Sequence, residues 1–231
     1  TDDLNEFYNF QCFHGIGHGL MAWADYEIYE ALDSCDQLPE ENIEACYSGV
    51  FMENIVGGLA PELGHYTEYL NEDPHYPCNI LDEKYKSMCY FFQTSRMMEL
   101  YDNRVGQVVA ECESLESTLN KNLCYGSLGR DISAYYGHEP RTAIFLCNEF
   151  VPEGNSKDAC MDGLVQNIFW DISGKEEAIG FCNFFIDQKQ KNNCFETISY
   201  RAGEILNQED RVNFCNLIQE EQTKNICLKY I

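Results

Sequence analysis

Between Lys175 and Asn207 the chain changes from helical periodicity to a polar interval and back again. KEEAIGFCNFF places Ala178, Phe181 and Cys182 on one stripe at helical spacing. The polar segment Asp187–Asn193 follows and reads as a turn. CFETISYRAGEIL then sets Cys194, Ile198 and Ile205 on a common face. Asn207-Gln-Glu-Asp210 closes the segment with residues suited to capping the next helix. The pattern predicts two antiparallel helices, A and B, with a cysteine late in A and another early in B.

The same pattern recurs along the chain. Twelve of the 13 cysteines fall into neighbouring pairs: Cys35 and Cys46, Cys78 and Cys89, Cys112 and Cys124, Cys147 and Cys160, Cys182 and Cys194, Cys215 and Cys227. Counted on the second cysteine of each pair, and starting from Cys12, the intervals are 34, 43, 35, 36, 34 and 33 residues. An aromatic or long apolar residue follows most of these cysteines, as in CFHG, CYSG, CYFF, CYGS, CMDG, CFET and CLKY. A period of this length is the mark of a helical-hairpin array. Partners with 10 to 12 residues between them are too widely spaced for a CxxC redox or zinc-ribbon motif. On antiparallel helices they lie within reach of a disulfide. The expected fold is therefore all-α, a right-handed α-solenoid of antiparallel hairpins with repeats of 33–36 residues, each stapled by its own disulfide. It occupies 1–231 as a single domain, with a trimmed first repeat over 1–30 and an inserted loop over 57–78.

The period and the helix–turn–helix units resemble those of tetratricopeptide and Sel1-like repeat proteins, some of which are secreted and carry a disulfide in every repeat. The tetratricopeptide signature of Trp, Leu-Gly and Tyr is absent, and the cysteine spacing is wider than the Sel1-like one. The resemblance implies a helical solenoid with a concave binding face and transfers no functional residue.

So many paired thiols point to an oxidising compartment: extracellular, cell-surface or periplasm-like. The chain has 15 basic and 39 acidic residues, a net charge of −24. That balance repels nucleic acid and anionic lipid and favours cations or basic partners. No run of 18 apolar residues is present, so no membrane span is expected, and no signal peptide is recognised. Cys12 sits where the second cysteine of a pair belongs, which puts its partner at or before Thr1. It is read as unpaired because the first repeat is trimmed, or else as a free thiol that binds metal or links to another chain.

Candidate chemistry is concentrated near the N-terminus, in Cys12-Phe-His-Gly-Ile-Gly-His-Gly19. His14 and His18 are four apart, so on a helix their imidazoles share a face and can share a metal ion. The spacing is that of HExxH, but Gly15 stands where a metalloprotease has its glutamate. Glycines at 15, 17 and 19 cost a helix about 1 kcal/mol each relative to alanine. Their clustering indicates a close approach by a neighbouring backbone or a ligand. Repeat alignment sets Glu53 opposite His18. It also places Arg96, Asp131, Asn167 and Arg201 in a polar row on later B helices, the expected ligand-facing surface.

The 57–78 insertion, broken by Pro61, Pro74 and Pro77, brings in His65 and His75. Folded back, it would let His65 join His14, His18 and Glu53 in a zinc or copper set. No GxSxG, P-loop, dinucleotide or EF-hand pattern is present; Asn71-Glu-Asp lacks the rest of a calcium loop. The expectation is a secreted or cell-surface binding or scaffold protein with a histidine metal site, taking a protein partner or a small cationic ligand. The alternatives are a zinc- or copper-dependent extracellular enzyme that uses His14 and His18, with Glu53 as ligand or base, and a structural subunit of a surface assembly.

Overall fold

The computed structural model describes residues 2–63, 65–136, 139–170 and 172–230. Thr1, near the place the spacing assigns to a partner for Cys12, and Gly64 in the insertion lie outside them. The described residues form helices and turns without strands. The helices are α1 (Asp2–Trp23), α2 (Ile28–Cys35), α3 (Glu40–Ile55), α4 (Glu83–Tyr90), α5 (Thr94–Leu100), α6 (Val105–Ser114), α7 (Thr118–Tyr136), α8 (Pro140–Phe150), α9 (Asn155–Ile168), α10 (Lys175–Cys182), α11 (Gln188–Ile205), α12 (Gln208–Leu217) and α13 (Glu221–Cys227). The fold is all-α.

All six neighbouring cysteine pairs are bonded, with Cα atoms 5.5 to 6.0 Å apart. Five of the bonds join the end of a short helix to the following helix: α2 to α3, α6 to α7, α8 to α9, α10 to α11 and α12 to α13. In the remaining unit the first partner, Cys78, lies in the turns that end the insertion, and it is tied to Cys89 on α4. No helix of the described residues is long and apolar enough to cross a membrane. With six disulfides in one chain, an oxidising, extracellular-type compartment fits the protein.

One turn differs from its sequence-based expectation. The polar run Gln188–Asn193 is the start of α11, so the connection after Cys182 is shorter than its polarity suggested. Asp187 accepts a hydrogen bond from Gln190 N at 2.9 Å and starts the helix there. Gln188 and Lys189 stay exposed and the next four residues, 190–193, are partly buried before Cys194 enters the core. The cap expected at Asn207 is present, its Oδ1 accepting from Asp210 N at 2.9 Å.

The chain forms two compact units, Tyr8–Leu128 and Gly129–Ile231 with the first seven residues. The first has a core of Met21, Ile28, Leu32, Val50, Phe51, Ile55 and Leu81 around Cys35, Cys46, Cys78 and Cys89. Asp36, just past α2, accepts from the Tyr47 hydroxyl, from the Tyr85 hydroxyl at 2.7 Å and from Lys84 at 2.5 Å, joining the α2–α3 hairpin to α4. The second unit is built around Leu164, Phe169, Phe181, Phe195, Ile198 and Phe214, with Phe169 and Phe214 stacked 5.3 Å apart.

Successive B helices approach through glycine. A Cβ on Gly17 of α1 would lie 2.1 Å from Cys46 O, and one on Gly49 of α3 would lie 1.9 Å from His14 O. Gly129 of α7 repeats the contact in the second unit, 2.0 Å from Cys160 O. Gly17 and Gly129 each fall five residues past a second cysteine, so these two units share the close approach at one register position. Gly15 and Gly19 would meet nothing within 4 Å. Gly49→Ala is therefore expected to lower the melting temperature sharply, because neither backbone can yield. Gly15→Ala is expected to leave it unchanged or raise it by the equivalent of up to about 1 kcal/mol. Thermal unfolding of the two variants beside the wild type checks both.

Candidate functional site: a histidine–glutamate cluster

The contact of Gly17 with Gly49 fixes the height of α1 on α3, and with it the partners of two histidines. His14, one turn before His18 on α1, is buried against α3, and its Nδ1 lies 2.7 Å from Ser48 Oγ. Ser48 Oγ is also 2.7 Å from Ala45 O. His14 Nε2 faces His18 Nε2 at 3.1 Å, the two rings edge to face. His18 Nδ1 reaches Glu53 Oε2 at 2.7 Å. The expected pairing of His18 with Glu53 is thus present, and Glu53 is only 8% exposed.

The insertion folds back onto the same carboxylate. Oε1 of Glu53 is hydrogen-bonded to His65 Nδ1 and lies 3.5 Å from the Tyr26 hydroxyl. Two glycines make room for this return. A Cβ on Gly57 would come within 3.2 Å of His65 Nδ1 and 3.3 Å of the Glu53 carboxyl, and one on Gly58 within 2.6 Å of the Thr67 side chain. Thr67 Oγ1 donates to Asn54 Oδ1 at 2.6 Å, and the Tyr69 hydroxyl donates to Glu27 at 2.8 Å. Residues from α1, α3, the turn after α1 and the insertion therefore converge on one buried carboxylate.

With His14 neutral and Glu53 accepting at both oxygens, protons can be arranged along the chain Ala45–Ser48–His14–His18–Glu53 in two consistent ways. In one, Ser48 donates to Ala45 O and His14 donates from Nδ1 to Ser48. His18 then carries both its protons, giving one to His14 Nε2 and one to Glu53. In the other, with one proton fewer, Ser48 donates to His14 Nδ1, His14 donates from Nε2 to His18, and His18 donates from Nδ1 to Glu53. If both rings were protonated at Nδ1 alone, two lone pairs would face each other at 3.1 Å, which requires a cation between them. Burial, reinforced by neighbouring His18, holds the pKa of His14 down at about 4. His14 is accordingly neutral. Burial and the Glu53 carboxylate raise the Tyr26 hydroxyl above its ordinary range, so it stays a donor.

Tyr26 has φ +65° and follows Asp25 at +49°. The turn after α5 has the same pair, Asp102 at +50° and Asn103 at +59°. Tyr26 N bonds Met21 O, and Asn103 N bonds Met98 O, both at 2.8 Å. The left-handed residues are therefore part of the turn that ends these two helices and no special strain of the site.

The four residues proposed as metal ligands are brought together, but they do not form one coordination set. Both oxygens of Glu53 are engaged by ring Nδ1 atoms. Among the described residues no group of three or more His, Cys, Asp or Glu side chains is arranged to hold a metal ion. His75 lies apart, its Nε2 3.1 Å from Glu111 Oε2. Cys12 is exposed and free.

The polar row of later helices is engaged locally. Arg96 donates to Asn71 O from Nε at 3.1 Å and from Nη2 at 2.6 Å, tying down the insertion. Arg201 donates to Phe169 O at 3.2 Å and Trp170 O at 2.9 Å, holding the end of α9. Asn167 donates to Ser133 at 3.3 Å. Asp131 adjoins Arg130, where burial lowers the guanidinium to about 10 against the opposing pull of Asp131.

Sequence reasoning missed Ser48 and Tyr26. Ser48 stands two residues past Cys46, as His14 stands two past Cys12, so the repeat register carried the signal. Tyr26 left none, because its hydroxyl arrives through the turn. No protein-family model, curated protein or solved structure matches the chain.

The depressed pKa of His14 gives a pH dependence of known sign. Unfolded, this histidine takes up a proton near 6.5; folded, only near 4. Its contribution to stability is complete above 6.5 and is lost as the pH falls from 6.5 toward 4. The urea midpoint of the wild type should fall over that window more steeply than that of His14→Asn, as parallel denaturation series will show.

Proposed function

We propose that this chain is a secreted or cell-surface helical-repeat binding protein whose ligand site is the His14–His18–Glu53–His65 cluster, and that its ligand is a divalent metal ion, zinc or copper. The observation that carries the reading is the facing pair of imidazole Nε2 atoms at 3.1 Å, with both Nδ1 atoms already anchored, on Ser48 and on Glu53. A metal-binding histidine commonly has its other ring nitrogen held by a carboxylate or another acceptor, which fixes the ring and raises its basicity. Imidazoles suit zinc and copper alike.

Packing alone does not call for these groups. Other contacts between B helices about one repeat apart use uncharged pairs, Thr94 with Ser127, Ser87 with Asn120 and Asn167 with Ser133, or a single carboxyl, Asp162 with Thr197, and none of these joins two ionisable side chains. Burying ionisable groups where a hydroxyl and an amide suffice costs free energy, and a ligand supplies the reason. The negative charge of the chain draws cations toward the site and suits a basic partner over a nucleic acid.

A second reading, a metal-dependent extracellular enzyme, has one observation in its favour. The side chains of His18 and His65 remain 32% and 30% exposed, so a bound ion could keep a position open to substrate.

Metal analysis of untagged protein purified without chelator tests the proposal. Near-stoichiometric zinc or copper is expected in the wild type and none in the His14→Ala/His18→Ala variant. A wild type that stays metal-free after zinc and copper are added removes both the metal ligand and the enzyme reading.

A further inference from the structure

The metal proposal leaves open which atoms hold the ion, and the geometry points to a narrower answer than four ligands. We infer that a divalent ion is held by Nε2 of His14 and Nε2 of His18 alone, with Glu53 and His65 outside its coordination sphere and the remaining positions open to exogenous ligands. This rests on the metal-binding reading above and assigns its coordination.

Three observations carry it. The first is direction. Each ring has one nitrogen fixed by the protein, His14 Nδ1 on Ser48 and His18 Nδ1 on Glu53, and the other aimed at its neighbour. The second is occupancy of the carboxylate. Glu53 already meets His18 through Oε2 and His65 and Tyr26 through Oε1, which makes it an orienting group for the rings around it. No third side chain joins the facing pair, in keeping with the lack of any three-ligand set among the described residues.

The third observation is the bite of the pair. With zinc–nitrogen bonds of about 2.0–2.1 Å, nitrogens at this separation subtend roughly 100° at the ion. That angle lies between the square and the tetrahedral values, which suits Cu(II) as well as Zn(II). A linear two-imidazole Cu(I) site would need the nitrogens about 4 Å apart, twice a metal–nitrogen bond of similar length. The ion replaces the proton that joins the rings and sits to one side of the line between the nitrogens, roughly 1.3 Å off it at that bite. The site so formed supplies two of about four positions and leaves the others to water or to an oxygen or nitrogen donor from outside. Such a centre is built for exchange and for recruiting a further ligand.

The test uses the whole chain, its disulfides intact, loaded with one equivalent of Cu(II). Electron paramagnetic resonance is expected to show coupling to two imidazole nitrogens in the wild type, in Glu53→Gln and in His65→Gln. By isothermal titration, Glu53→Gln should weaken binding by about 10–100-fold, the effect of losing an orienting partner. His65→Gln should weaken it less, whereas His14→Gln and His18→Gln should each abolish the two-nitrogen signal. Melting curves of the apo variants confirm that each is folded. If His65→Gln removes one nitrogen from the pattern, or if Glu53→Gln abolishes binding in a folded protein, the two-histidine assignment is overturned and metal binding itself stands. If the wild type binds no Cu(II) or Zn(II), the metal-binding reading falls and takes this assignment with it.

Discussion

Helices of eight residues are too short to persist in water by themselves, yet α2, α4 and α10 have that length. What holds them is a disulfide to the neighbouring segment, from α2 to α3, from α10 to α11, and from α4 back to the turns that end the insertion. Closing a loop of 11 to 13 residues removes on the order of 3 kcal/mol of chain entropy from the unfolded state. All twelve bridged cysteines are buried, eleven of them completely. The sulfurs thus serve as core as well as staple. Each unit can then devote its longer helix to contacts with the next repeat.

Those contacts are close because glycine makes them close. Where Gly17 meets Gly49, the two backbones touch, and every side chain within a turn is brought to short range. The contact explains why a bare alternation of histidine and glycine in α1 becomes a site. Gly17 lets α3 in, while His14 and His18, one residue to one side and three to the other, are carried onto Ser48 and Glu53. Gly129 makes the same approach at Cys160 and no such cluster results, because Gly126 and Arg130 stand where His14 and His18 stand about Gly17. The repeat supplies the geometry, and the local sequence decides whether chemistry follows from it.

The insertion completes the cluster by replacing a helix. Where the other units have a short A helix before the first cysteine, this one has turns, fastened by Arg96 to Asn71 O and by Gln93 to Pro74 O and Tyr76 O. Gln93 is fully buried at the break between α4 and α5. The loop is held at both ends, by Thr67 on Asn54 at the start and by these carbonyl bonds at the finish. His65 is delivered to Glu53 from a segment that has two 3-10 turns, Gly57–Leu59 and Pro61–Leu63, and no α-helix among its described residues.

Sequence alone determined the repeat, the all-helical class, the disulfide partners and the facing of His18 with Glu53. Each depends on separations along the chain, and a helix or a short covalent loop converts separation directly into position. The polar run before Cys194 misled for the complementary reason: polarity marks exposure, and an exposed helical face looks like a turn. Only the tertiary structure decided that Ser48 and Tyr26 belong to the cluster, and that Glu53 meets the rings of His18 and His65 through separate oxygens. It alone aimed the two Nε2 atoms at each other. Those outcomes depend on which ring nitrogen meets which neighbour, and that is settled by how closely two helices and a returning loop pack.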